Sequence, residues 1–218
     1  MPRRTAILIS GRGSNMAALV DAAQRPGYPA EIALVLSNRP DAAGLAYAES
    51  AGIETAVLAS KGYPSREAFD EALHARLSET NIELVCLAGF MRVLTKTFVE
   101  AWRDRLINIH PSLLPLFPGL DTHARAISAG VRIHGCTVHF VRAEVDQGPI
   151  IAQAAVPLLS ADTEETLAAR VLAAEHRIYP LALNLVAAGK AHVVDERVVI
   201  DDARTELAGE AVVSPEFE

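Results

Sequence analysis

The chain has 218 residues, half of them hydrophobic and 22% charged, with a formal net charge of −7 and a pI near 5.5. That balance supports a sizeable core and excludes wholesale disorder, while the acidic charge argues against a nucleic-acid partner. No apolar run is long enough to span a bilayer, so no membrane association is expected.

Met1-Pro2-Arg3-Arg4 is basic, but a strand-like segment and early glycines follow in place of a signal-peptide core. Thr5–Ser10 is a short apolar run of the kind a buried parallel strand shows. Gly11-Arg12-Gly13-Ser14-Asn15 breaks it, and a helix continues from Met16. As a dinucleotide fingerprint the loop is poor, because the third glycine would fall on Met16, and it lacks the Gly-Lys-Ser/Thr of a Walker loop. Two readings stand level: a helix capped by Ser14 and Asn15, or a helix N-terminus that holds one phosphate monoester.

Glu31–Ser37 reads as a second strand, Ala42–Ala51 as a helix closed by Gly52, and Glu54–Leu58 as a third strand. After a loop at Lys61–Pro64, Ser65 caps a helix running to about Thr80, with Ala68, Phe69, Leu73 and Leu77 on its apolar face. Ile82–Leu87 is a fourth strand, and a short helix covers about Thr95–Trp102. This alternation predicts an α/β fold, a doubly wound and mostly parallel sheet with helices on both faces. Such sheets bind ligands at the carboxyl ends of their strands, so Gly11–Asn15, Gly89–Leu94 and Asn108–Pro115 should converge on one edge.

Leu106–His110 is a strand stopped by Pro111. Asn108 and His110 lie two apart and share a face, an amide beside an imidazole. Asn can hydrogen-bond a developing oxyanion, and His carries a proton near neutral pH. An isolated Asn-x-His reads more simply as a hydrogen-bonded strand end. Pro111, Pro115 and Pro118 change that weighing, because they stiffen the loop that follows. A helix starts near Thr122, and Ile133–Val141 alternates as a strand with Ile133, Gly135, Thr137, His139 and Val141 on one face. A polar loop at Arg142–Gly148, a strand at Pro149–Val156 and a long amphipathic helix at Thr163–Ala188 follow, with a bend expected before Pro180. Ala191–Val194 and Arg197–Ile200 form a small antiparallel hairpin, and the acidic stretch 201–218 reads as a mobile tail. Cys86 and Cys136 sit in apolar surroundings and read as reduced thiols of a cytoplasmic protein.

Gly11–Asn15, Ala88-Gly89-Phe90-Met91-Arg92, Asn108-Ile109-His110-Pro111-Ser112-Leu113-Leu114-Pro115 and Asp146-Gln147-Gly148-Pro149, in this order, closely resemble the folate-dependent formyltransferases. The Gly-x-Gly-Ser-Asn loop resembles their glycinamide ribonucleotide branch, and the likeness covers about Thr5 to Ile200. It implies a single domain over 1–200, with a phosphate-binding half to about residue 105 and a folate and catalytic half beyond. It also implies direct formyl transfer from 10-formyltetrahydrofolate to the amine of glycinamide ribonucleotide, in a monomer or homodimer and without a metal. By that resemblance Asn108, His110 and Asp146 are catalytic, and Asp146 favours the imidazolium of His110 and relays a proton. Seen alone, Asp146 would be a turn residue. Gly13, Ser14 and Asn15 would hold the substrate phosphate. Glu175 would meet the glycinamide end, although such a residue is more usually a solvent-facing helix charge. Arg66, Met91, Arg92, Val93, Leu94, Asn108, Arg142, Ala143, Glu144, Val145 and Asp146 match the folate-contacting segments. Gly119 and His123 follow the family's pattern Pro-Gly-x-x-x-His, whereas Leu116 and Leu172 are departures from the family, standing where a basic residue and a glutamine are common.

The rival readings are few. A methionyl-tRNA formyltransferase would add an oligonucleotide-binding barrel and basic charge. A formyltetrahydrofolate deformylase would have no need of a phosphate loop. A non-catalytic phosphate-binding module leaves Asn108, His110 and Asp146 unexplained. A metal hydrolase using His110, His123, His134 and His139 lacks zinc-site spacing.

Overall fold

The computed structural model describes residues 1–201 and Ser214. The tail expectation for 201–218 therefore lies, apart from Asp201 and Ser214, outside the described residues.

A seven-stranded sheet runs through the chain in the order β3-β2-β1-β4-β5-β6-β7. Its strands are β1 (Arg3–Ile9), β2 (Ala30–Ser37), β3 (Thr55–Val57), β4 (Leu84–Leu87), β5 (Leu106–His110), β6 (Ile133–Phe140) and β7 (Ile150–Pro157). From β3 to β5 all pairings are parallel; β5–β6 and β6–β7 are antiparallel. A separate antiparallel hairpin, β8 (Ala191–Val194) and β9 (Arg197–Ile200), completes the mixed α/β architecture expected from the sequence.

The period-two alternation of β1 divides the core. Ile7 and Ile9 point into one apolar layer, shared with Met16 and Leu19 of α1 (Ser14–Ala23) and Val171, Ile178 and Tyr179 of α6 (Glu164–Ala187). Ala6 and Leu8 point into the other, with Phe69, Leu73 and Leu77 of α3 (Arg66–Glu79) and Phe98 of α4 (Lys96–Ala101). Helices on both faces bury both sides of the parallel strands, which is why these strands read as continuous apolar runs. α2 (Gly44–Ser50) and α5 (Thr122–Ala129) complete the helices. The Ser65 hydroxyl accepts from the Ala68 N–H as the cap of α3, and α6 continues through Pro180 as one helix.

Three local expectations change. The loop before Ser65 contains a 3-10 turn at Ser60–Gly62. Strand β6 is buried on both faces from His134 to Phe140, with Cys136, Val138 and Phe140 in the layer shared with α6 and Thr137 against the Ser112–Leu114 segment, so its alternation does not mark a solvent face. The N-cap of α1 is Gly13, at φ 75° and with no side-chain cap; Ser14 is already helical. Gly13 is tightly enclosed as well: an added Cβ would lie 2.8 Å from Met16 Cε and 3.0 Å from Gly44 Cα.

Gly135 sits where β6 and β7 press together, and a Cβ there would fall 2.0 Å from the Ala154 carbonyl oxygen. Backbone cannot yield as a flexible side chain can. Gly135→Ala should destabilise the fold by about 1–3 kcal/mol or more, read as a lower urea midpoint at unchanged m-value; an unchanged midpoint would contradict this packing.

Candidate active site

Because β1, β4 and β5 run parallel as neighbours, the segments after them emerge on one edge. The Met91 N–H donates to Ser10 Oγ (2.8 Å) and Ser10 Oγ donates to Asn38 Oδ1 (2.6 Å), tying the loops after β1, β2 and β4 together.

At the carboxyl end of β5 the cross-strand register sets Asn108 opposite His139 and His110 opposite Thr137. His139 Nδ1 lies 2.9 Å from the Phe140 carbonyl oxygen. A carbonyl only accepts, so Nδ1 carries the proton and Nε2 presents a lone pair. Nε2 lies 3.3 Å from Asn108 Nδ2. The Asn108 amide must therefore turn its NH2 toward His139, which uses one of the two N–H groups and leaves the other to the site. Burial, first among the causes, holds the His139 pKa below its ordinary value, in keeping with this neutral ring.

His110 is itself buried, with Nε2 3.0 Å from the Phe117 carbonyl oxygen and Nδ1 3.4 Å from Asp146 Oδ2. Both ring nitrogens thus face oxygen. Asp146 has a left-handed backbone (φ 57°), and its Oδ2 also accepts the Gly119 N–H at 2.8 Å. Its other oxygen stands 3.9 Å from His139 Nε2. Asn108, His139, Asp146 and His110 so form one connected group, of which the sequence reading had singled out all but His139. The signal for His139 was its place on β6, but the register that brings it to Asn108 is tertiary.

The loop after β5 is laced to β6. Thr137 Oγ1 donates to the Ser112 carbonyl and accepts from the Leu114 N–H and from Gln153 Nε2, which fills a hydroxyl's one donor and two acceptor sites. Ser112 Oγ donates to the Leu116 carbonyl at 2.6 Å. His134, fully buried, packs its ring edge-on against Phe117 and His123 at centroid separations of 5.9 and 5.4 Å.

The α1 N-terminus lies open at exposed Gly11, Arg12 and Ser14. Asn15 does not cap the helix: its Nδ2 donates to Glu175 Oε2 at 2.7 Å, joining α1 to α6. Glu175 is buried rather than solvent-facing, and burial raises its pKa against the lowering effect of Asn15. On the opposite flank Arg66 Nη2 donates to the Val93 carbonyl (2.9 Å) and Arg92 stacks over Phe69 at 4.2 Å, while Met91 and Val93 are exposed and Leu94 is buried. Ala143, Glu144 and Val145 lie on the loop that carries Asp146, with Val145 exposed. The Arg142 guanidinium turns away to Asp104 and Glu196. Leu116 is exposed beside this edge, and Leu172 is half-buried on α6. No group of three or more His, Cys, Asp or Glu is arranged to hold a metal among the described residues.

A parallel sheet that switches direction beyond β5, with an Asn-x-His strand end and a returning Asp, defines a class: the chain belongs to the formyl transferase family, which it matches over residues 3–183. Within that family it is 43% identical over 205 residues to the phosphoribosylglycinamide formyltransferase of Escherichia coli (strain K12), covering 94% of this chain and 97% of that one. The trifunctional purine biosynthetic protein adenosine-3 of Gallus gallus is 52% identical over 190 residues, 87% of this chain; the chain spans 19% of that relative's length. The crystal structure of glycinamide ribonucleotide transformylase 1 from Symbiobacterium toebii superimposes with a TM-score of 0.89 at 49% identity, covering 91% of this chain and 94% of that one.

Burial pushes the His134 pKa from 6.5 down to about 4, and lowers those of His123 and His139. In the unfolded chain these rings take up protons first as pH falls. The stability they contribute is complete above about pH 6.5 and is lost as pH falls toward 4. The melting temperature should drop between about pH 7 and pH 5, by roughly 2–4 °C for each kcal/mol, and less steeply in His134→Gln. A flat profile would contradict neutral buried rings.

Proposed function

We propose that the chain transfers the formyl group of 10-formyltetrahydrofolate to the amino group of 5-phosphoribosylglycinamide, yielding formylglycinamide ribonucleotide and tetrahydrofolate in de novo purine biosynthesis. The observation that carries this reading is the contact of His110 with Asp146 beside the oriented Asn108 amide, on the same edge as an uncapped helix N-terminus.

The amine lone pair attacks the formyl carbon, and the carbonyl pair moves onto oxygen. The free N–H of Asn108 and a protonated His110 donate to that oxyanion. At 3.4 Å the Nδ1–Asp146 contact is long for a charge-assisted hydrogen bond, so this N–H can turn toward the oxyanion. Asp146 takes the ammonium proton, directly or through a water. Collapse then re-forms the carbonyl and breaks the bond to folate N10, which leaves with the proton Asp146 had taken, so that Asp146 is again ionised.

The rest of the edge suits the two substrates. Gly13, Ser14 and Asn15 offer backbone N–H groups and the positive end of α1 to the phosphate. Glu175 faces the glycinamide amine. Arg66 and the segment Met91, Arg92, Val93 and Leu94 take one side of the folate, with the backbone of Arg142, Ala143, Glu144 and Val145 on the other. The buried free cysteines fit a reducing compartment, and we place the protein in the cytoplasm.

The test is formyl transfer followed by folate absorbance, with and without the ribonucleotide. Turnover should require the ribonucleotide. It should fall by on the order of 10²–10⁴-fold in His110→Ala and about 10²–10³-fold in Asn108→Ala. Loss of formyl from folate without ribonucleotide would point to a deformylase instead. Full activity in both variants would end the proposal.

A further inference from the structure

Strand β6 ends beside the start of β5: Ile107 pairs with Phe140, and the Val141 N–H donates to the Leu106 carbonyl. His110 sits at the far end of that strand. The loop 141–148 must therefore run back along β5 to bring Asp146 to His110, and its accuracy depends on how its base is held.

The base is held tightly. Gly148 lies so close to Phe140 that a Cβ would fall 1.7 Å from its carbonyl oxygen, and the Phe140 N–H donates to the Pro149 carbonyl at 2.9 Å. At the other foot stands Arg142, its side chain 8% exposed. Nε donates to Glu196 Oε2 (2.7 Å), Nη2 to Asp104 Oδ1 (2.7 Å) and Nη1 to the Val141 carbonyl (3.1 Å). Asp104 comes from the turn before β5, and Glu196 from the turn of the β8–β9 hairpin, where Asp195 and Glu196 both have positive φ. Arg103 also pairs with Glu196, from the surface side. A planar guanidinium that grips two carboxylates at fixed angles sets direction as well as position.

We propose that Glu196 is a positioning residue: through Arg142 the C-terminal hairpin latches the foot of the 142–148 loop and so sets Asp146 and the folate-facing backbone. The effect on folate rests on the function proposed above; the latch itself does not. The hairpin does not join the main sheet, and this contact gives it a role at the site from outside.

Two readouts test it. Amide hydrogen exchange on the ligand-free protein should be faster over 143–147 in Glu196→Ala, with the rest of the sheet unchanged. In steady-state kinetics the same variant should raise KM for the formyl folate by about 3–10-fold and leave KM for the ribonucleotide unchanged. Arg103→Ala should do neither. In an Arg142→Ala background, Glu196→Ala should add nothing further, since its action runs through Arg142. Unchanged exchange over the loop would overturn the latch, as would a general rise in exchange with both KM values moved. Wild type without turnover would sink the functional reading alone, and the exchange measurement would still decide the latch.

Discussion

Everything at the site depends on the double pairing of β5. On one side it is the last parallel strand, so its carboxyl end joins the edge where the loops after β1 and β4 emerge. On the other it is antiparallel to β6, and that register puts His139 against Asn108 and Thr137 against His110. A one-residue slip would turn each of these side chains to the opposite face. The lacing of Thr137 and Gln153 to the Ser112–Leu116 loop ties the same register to the loop beyond the strand.

The second theme is polarity held inside. Asn108, His110, His139, Asp146, Asn15 and Glu175 are buried or half-buried in and around a core otherwise packed with Leu, Val and Ile. Such groups are tolerable only with partners. Each here meets another polar group of the site or a backbone carbonyl, with a few atoms such as Asn15 Oδ1 left unpartnered. The network fixes orientations: a carbonyl decides the tautomer of His139, that tautomer decides the turn of the Asn108 amide, and Asp146 is held by Gly119 while it faces His110.

Much of this was legible in residues. Apolar runs and glycine breaks marked the strands of the parallel half, Ser65 and Thr95 marked helix starts, and the hairpin came at its observed limits. Asn108 and His110 stood out because spacing of two in a strand is a local property. Glu175 did not stand out by burial, since a carboxylate followed by His176 and Arg177 on an amphipathic helix reads as a surface charge. Nothing near it in sequence announces Asn15, 160 residues away. For Arg142 no local pattern announces that its guanidinium is turned to Asp104 and Glu196, 38 and 54 residues distant.

By itself the sequence determined the α/β class, the order of its elements, the strand ends that carry glycine, amide and imidazole, and the family these motifs resemble. The first three follow from periodicity, turn chemistry or short-range spacing, which neighbouring residues decide among themselves; the family likeness rests on the motifs as quoted. Only the tertiary structure decided that β6 runs antiparallel and buried on both faces, that His139 joins the site, and that Glu175 is enclosed. It also decided that the hairpin grips the loop bearing Asp146. These are pairings between distant segments, set by strand register and by the cost of leaving buried polar groups without partners, and no local pattern encodes them.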